Sequence, residues 1–117
     1  HAQYLNQRLT KHSEIQTPKP SVDSDHVYQM YTIRLKNKKI RDSLKDFLLE
    51  KKIFCKVYFN PIHLTGYYRS KFGLDNNMLP ITEKISEHVL TLPLFPNMSS
   101  EEKTFLVDSI DEFFEKK

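Results

Sequence analysis

Residues 60–68, Asn60-Pro61-Ile62-His63-Leu64-Thr65-Gly66-Tyr67-Tyr68, gather a carboxamide, an imidazole and two phenols around a proline and a glycine. An irregular, aromatic-rich turn of this kind is a place where side chains face a ligand, because loops carry polar groups that a rigid scaffold holds in position. Metal ligation is a poorer use of the imidazoles. His1, His12, His26, His63 and His88 show no paired ligand spacing, and the single Cys55 excludes both a multi-cysteine metal site and an internal disulfide. Serines are present, but no nucleophile-elbow pattern accompanies them. Arg69 offers a planar fork suited to a diphosphate, against the commoner fate of a surface salt bridge. The densest basic run, Lys36, Lys38, Lys39 and Arg41, reads as a solvated loop between a strand and a helix rather than an anion site.

The elements that must position these residues follow from periodicity. Ala2, Leu5 and Leu9 share a helical stripe, so the first dozen residues read as the end of a helix entering from something upstream. His1, in place of an initiating Met, fits an internal cut through a longer protein. Residues 13–25 are polar and contain Pro18 and Pro20, which break helices, so they read as a connection. From His26 to Leu35 the residues alternate, with Val27, Tyr31, Ile33 and Leu35 on a buried face. Ile40, Leu44, Phe47 and Leu48 recur at helical spacing and place an amphipathic helix from about Lys39 to Lys51.

Ile53, Cys55, Val57 and Phe59 alternate as a second strand, with Cys55 read as buried packing. Pro80 precedes a helix whose stripe is Ile81, Ile85 and Val89, with His88 at its partly exposed edge. That helix feeds a short strand, Leu90 to Leu94, which Pro93 confines to a sheet edge. Ser99 and Glu102 form a capping box, and Leu106, Ile110, Phe113 and Phe114 supply the buried stripe of the last helix. The expected fold is α+β, a small, mainly antiparallel sheet of about three strands covered by helices. No repeat or low-complexity tract interrupts it.

Composition sets the class independently. The 117 residues make one domain, and 38% hydrophobic content with eight Phe and six Tyr supports a folded core. A formal charge of +3 is spread among acidic neighbours, so a nucleic-acid surface is not indicated. No apolar run approaches the roughly 20 residues that span a bilayer, and no signal-peptide core opens the chain. Together with the lone cysteine, this reads as a soluble protein of the reducing cytoplasm.

Five blocks in order carry a resemblance: His26-Val27-Tyr28, Arg41-Asp42, Pro61-Ile62-His63-Leu64, Tyr68-Arg69 and Thr91-Leu92-Pro93-Leu94. In that order and spacing the chain resembles the C-terminal small domain of the DegT/DnrJ/StrS family of pyridoxal-phosphate-dependent sugar aminotransferases, over nearly its whole length. The resemblance implies the small domain of a fold-type-I aminotransferase, with residues 1–25 as incoming helix and linker from a large upstream domain and residues 26–117 as the small domain. It implies a nucleotide-sugar substrate, glutamate as a common amino donor, a role in polysaccharide or amino-sugar biosynthesis, and a homodimer for the intact protein.

That chemistry needs a Schiff-base lysine, an acidic partner for the pyridinium nitrogen and a phosphate cradle. None is identifiable here, and Gly66 and Gly73 are not in a glycine-rich run. The chain alone is therefore expected to hold no pyridoxal phosphate and to be inactive, with no catalytic or cofactor residue of its own. What it can offer is one wall of the substrate pocket. The resemblance directs attention to His26 and Tyr28, which can stack on or hydrogen-bond a sugar nucleotide, and to Tyr58, Asn60 and His63, whose polar groups can reach sugar hydroxyls. Half-buried packing for Tyr28 and a structural hydrogen bond within the turn for His63 are the plainer alternatives. Arg41 and Asp42 match the family at a helix start, where capping is their default role. Three positions depart from the family pattern. Lys52 stands where glycine often ends the first helix, so that end is expected to differ, and Gln29 and Tyr58 stand where histidine is frequent. A freestanding, non-catalytic α+β module that binds a ligand or protein is the rival reading, which the mid-helix start disfavours.

Overall fold

The computed structural model describes residues 1–116. Its elements are α1 (Ala2–Leu9), β1 (Ile15–Gln16), β2 (Tyr31–Leu35), α2 (Lys38–Glu50), a 3₁₀ turn (Ile62–Leu64), α3 (Gly66–Phe72), α4 (Pro80–His88), β3 (Val89–Leu92) and α5 (Ser100–Glu115). The strands form one antiparallel sheet in the order β1-β2-β3, the α+β arrangement expected from the sequence.

Register explains the core. Tyr31 pairs with Leu92 and Ile33 with Leu90, so these side chains share one face of the sheet. They meet Leu5 and Leu9 of α1, Leu44 and Leu48 of α2, and Leu106, Val107 and Ile110 of α5, all buried. On the opposite face the Thr32 and Thr91 hydroxyls hydrogen-bond at 2.8 Å. The capping box at α5 forms as its sequence predicts. Ser99 Oγ accepts the Glu102 N–H at 3.1 Å, and Glu102 Oε2 accepts the Ser99 N–H at 2.7 Å. The Asp111 carboxylate then fastens α5 to the end of α1, accepting from Lys11 Nζ (2.7 Å), His12 Nε2 (2.7 Å) and Arg8 Nη2 (3.3 Å).

Several expectations are corrected. The first strand runs from Tyr31, not His26: Tyr28 has φ 47°, which breaks an extended run, and Val27 is 87% exposed rather than buried. The run Ile53 to Phe59 pairs with the sheet only through an antiparallel bridge between Lys56 and Thr91, with N···O distances of 3.0 and 2.7 Å. The third strand is instead β1, inside the segment read as a connection, where Ile15 lies opposite Leu35 and is buried. β3 ends at Leu92, so Pro93 stands outside the ladder. Residues 62–72 are a 3₁₀ turn and a short helix rather than an irregular turn, and no residue of α3 is buried. The α4 stripe is not a core stripe, since Ile81 and Ile85 are exposed.

The two ends of α2 are also reassigned. Its N-cap is Asn37, whose Oδ1 accepts the Ile40 N–H at 2.9 Å, so Arg41 and Asp42 do not cap it. Arg41 is buried and reaches across to β3 and α4, donating from Nη1 to Val89 O (3.2 Å) and Ser86 O (3.3 Å) and from Nε to Asp42 Oδ1 (2.6 Å). The C-terminus closes as glycine would close it. Lys52 takes φ 64°, the Lys52 N–H donates to Leu49 O and the Ile53 N–H to Leu48 O, a Schellman arrangement in which Leu48 and Ile53 both enter the core.

Candidate functional site

At the Tyr31 end of the sheet, the chain entering β2 makes a tight local turn. The Tyr28 N–H donates to His26 Nδ1 at 2.9 Å, which leaves Nε2–H as the imidazole's remaining donor. The two rings lie 4.2 Å apart at 38°, and Tyr28 in turn stacks on Tyr31 at 6.2 Å. Tyr31 anchors this column: burial and the neighbouring Tyr28 push its phenol well above the ordinary tyrosine range, and its hydroxyl donates to Asn6 Oδ1 at 2.6 Å. Tyr28 is therefore half-buried packing on one side and an open phenol on the other. It lines a cleft of about 500 Å³ with Val27, Gln29, Leu94 and Pro96.

A second cleft, of about 430 Å³, adjoins the first and shares Gln29 and Leu94 with it. Tyr58 lines it together with Met30, Lys56, Phe59 and Pro93. Lys56 places its ammonium 5.5 Å from the Tyr58 ring centroid, a cation–π contact beside a polar tip. Because Lys56 bridges to Thr91, the exposed Lys56 and the half-buried Tyr58 stand beside β3 while Cys55 and Val57 pack against the core. Burial pushes the Cys55 thiol up to about 12, so it is an unreactive packing residue.

His26, Asn60 and His63 line neither cleft, and His26 meets a lining residue through its ring contact with Tyr28. His63 is buried in the 3₁₀ turn, and its Nε2–H donates to Glu83 Oε1 at 2.9 Å. Glu83 also accepts the N–H groups of Asn77 (2.9 Å) and Leu79 (3.2 Å), and the Asn77 bond first, then His63, hold its carboxyl below the usual range. This is the structural hydrogen bond that the sequence left open for His63, made to α4 rather than within the turn. Asn60 is exposed and makes no hydrogen bond among the described residues. Arg69 pairs with Asp75 on the surface.

The structure thus brings His26, Tyr28 and Tyr58 to one end of the sheet and leaves Asn60 and His63 apart. Sequence reasoning missed Lys56, Met30 and Leu94 as lining residues; the period-2 spacing of Lys56 and Tyr58 was the available signal for the first. The residues do not fit a pyridoxal phosphate site of their own. Gly66 has open space where a Cβ would stand, so no close backbone approach to a phosphate calls for glycine there, and Gly73 serves as the left-handed cap of α3. Among the described residues no three of His, Cys, Asp and Glu come together to hold a metal ion, and no helix is long and apolar enough to cross a membrane.

Three likenesses accompany this geometry. The chain is 37% identical over 99 residues to a "Pleiotropic regulatory protein" of Geobacillus stearothermophilus, spanning 84% of this chain and 26% of that protein. It is 31% identical over 105 residues to GDP-perosamine synthase of Escherichia coli O157:H7, spanning 90% of this chain and 28% of that enzyme. Its fold superposes on DesV of S. venezuelae, solved in complex with a ketimine intermediate, with a TM-score of 0.83 and 26% identity, over 96% of this chain and 29% of DesV. The chain therefore spans less than a third of these proteins, and corresponds to one domain of them. A family model matches residues 1–111, and with it the chain belongs to the DegT/DnrJ/EryC1/StrS aminotransferase family.

Proposed function

We propose that this chain is the C-terminal small domain of a pyridoxal-phosphate-dependent nucleotide-sugar aminotransferase, joined through α1 and residues 10–25 to a larger upstream domain. It forms one wall of the substrate pocket and carries none of the catalytic groups. The observation that supports this reading most directly is the pair of adjoining clefts at the Tyr31 end of the sheet, with Tyr28 lining one, the His26 ring packed against it, and Tyr58 lining the other. Aromatic faces with polar tips suit a nucleotide sugar: the ring face packs against base or pyranose while phenol and imidazole N–H hold hydroxyls or phosphate oxygens.

His26 Nε2–H and the Tyr28 and Tyr58 hydroxyls are the proposed direct contacts, with Asn60 reaching sugar hydroxyls from the exposed stretch after Tyr58. His63 contributes by position, since its bond to Glu83 ties the 3₁₀ turn to α4. The cofactor, glutamate as donor, a homodimeric parent and a cytoplasmic role in polysaccharide or amino-sugar synthesis complete the proposal. The family, together with relatives that include GDP-perosamine synthase, supports it.

The test compares this chain with the product of its full reading frame. A cofactor absorbance band in the longer protein only, bleached by glutamate, is the expected result. In that protein, Tyr28→Phe and Tyr58→Phe should raise KM for the nucleotide sugar while leaving the glutamate half-reaction unchanged. Equal loss in both half-reactions would place the defect in folding or cofactor binding and remove the substrate wall from the account.

A further inference from the structure

At the opposite end of β2 lies a cleft of about 540 Å³, bordered by Gln16 of β1, Arg34 and Lys36 at the end of β2, and Lys84 and His88 of α4. The volume falls within the range of small-molecule sites, about 300–1,000 Å³. We infer that this cleft binds a small phosphorylated anion. Arg34 lies in β2 and Lys36 in the bend just past its end, where both line the cleft, and Lys84 and His88, four apart on a helix, share a face. The register then brings Gln16 directly opposite Arg34 as a neutral donor.

Charge pairing separates these cations from most others in the chain. Arg8, Lys11, Lys38, Arg41, Lys45, Lys51, Arg69 and Lys116 all have carboxylate partners. Lys56, Lys71 and Lys103 lie over aromatic rings. Among the described residues, Lys19, Arg34, Lys36, Lys39, Lys52 and Lys84 have neither kind of partner, and of these Arg34, Lys36 and Lys84 converge on this one cleft while the other three do not border it. Glu14 is the one carboxylate in the lining, and it accepts from Ser13 Oγ at 3.0 Å. Three cations against one carboxylate leave a positive concavity.

The C-terminal end of a helix ordinarily repels anions, and α4 ends here. That repulsion is offset, because the buried Arg41 guanidinium already holds the Ser86 and Val89 carbonyls. A phosphoryl group bridging Arg34 and Lys84 would find a bidentate fork on one side and a point charge on the other. The basic run in the sequence thus divides: Lys38 and Arg41 are consumed within the fold, while Lys36 faces the cleft. The inference does not depend on the proposed function, since the clefts of Tyr28 and Tyr58 lie at the other end of β2.

Inorganic pyrophosphate titrated into the chain at low salt, followed by amide chemical shifts, tests it. Saturable shifts confined to residues 13–16, 34–36 and 84–88 are expected, with binding weakened about tenfold or more in the Arg34→Gln/Lys84→Gln variant. Both side chains flank an open cleft, and an unchanged spectrum elsewhere verifies the fold of that variant. A Lys52→Gln/Lys71→Gln variant, with the same charge change at a distance, should bind as the parent does. Shifts scattered over all lysines, no saturation, or equal loss in the control would overturn the inference. Tighter binding of a poly-glutamate peptide than of pyrophosphate would overturn the ligand class and assign the cleft to a protein partner.

Discussion

Replacing Arg41 by alanine should be among the most destabilising single changes in this chain, although arginine is ordinarily a surface residue. Its side chain is 6% exposed and donates to two backbone carbonyls and one carboxylate. Truncation leaves Ser86 O and Val89 O without this donor and opens a void beside α2. Hydrogen bonds from charged groups contribute about 1.5–3 kcal/mol each, and orphaning buried partners costs about 1–3 kcal/mol. The two carbonyl contacts are long, at 3.2 and 3.3 Å, which favours the lower values and a total near 3 kcal/mol. With a urea m-value of about 1.5 kcal/mol/M, the midpoint should fall by roughly 2 M, and the melting temperature by roughly 10–20 °C. Asp42→Asn is the control, because Asp42 is 43% exposed and its loss spares both carbonyl contacts; it should cost under about 1 kcal/mol. Arg41→Lys should fall between the two, since an ammonium cannot reproduce the fork. If Arg41→Ala costs no more than Asp42→Asn, the guanidinium does not join α2 to α4 and β3 as argued.

Lys52→Gly should stabilise the chain by about 0.5–1 kcal/mol, because Lys52 holds a left-handed conformation that glycine adopts without strain; a lowered urea midpoint would contradict this. Burial pushes the Asp111 carboxyl up, but the bonds from Lys11, His12 and Arg8 outweigh it and hold it below the usual range. A depressed carboxyl contributes stability above the unfolded value near pH 4 and loses it as pH falls through the lower folded value. Melting temperature should therefore decline below about pH 4 in the parent and decline less steeply in Asp111→Asn, while parallel curves would refute the assignment. Cys55 should resist alkylation by iodoacetamide at pH 8 until the chain is unfolded, since burial pushes its thiol up to about 12; rapid labelling of the native chain would show the site to be open.

Where local code is strong, the sequence determined the element outright. Ser99 and Glu102 satisfy each other's backbone donors within one turn, so α5 starts where the pattern says. The spacing of Leu5 and Leu9, of Leu44 and Leu48, and of Tyr31, Ile33 and Leu35 settled which faces are buried, because helical and strand periods are fixed by backbone geometry. The ordered blocks from His26 to Leu94 likewise carried the family, and they placed Tyr28 and Tyr58 among the candidate pocket residues. What the sequence left undecided depends on partners distant along the chain. Ile15 joins the sheet because β1 pairs with the edge of β2 opposite Leu35, whereas the Ile53 run reaches only the far edge, through the single bridge of Lys56 to Thr91 of β3, and neither outcome follows from the segment's own propensity. Arg41 looks like a helix-start residue until α4 and β3 deliver their carbonyls to it, and His63 looks like a ligand contact until Glu83 arrives from α4. The same convergence of β2 with α4 assembles Arg34, Lys36, Lys84 and His88 into one cleft from positions some fifty residues apart. Short-range order follows from dihedral preference and periodicity, whereas the use of each polar side chain is set by which desolvated group the tertiary fold brings opposite it.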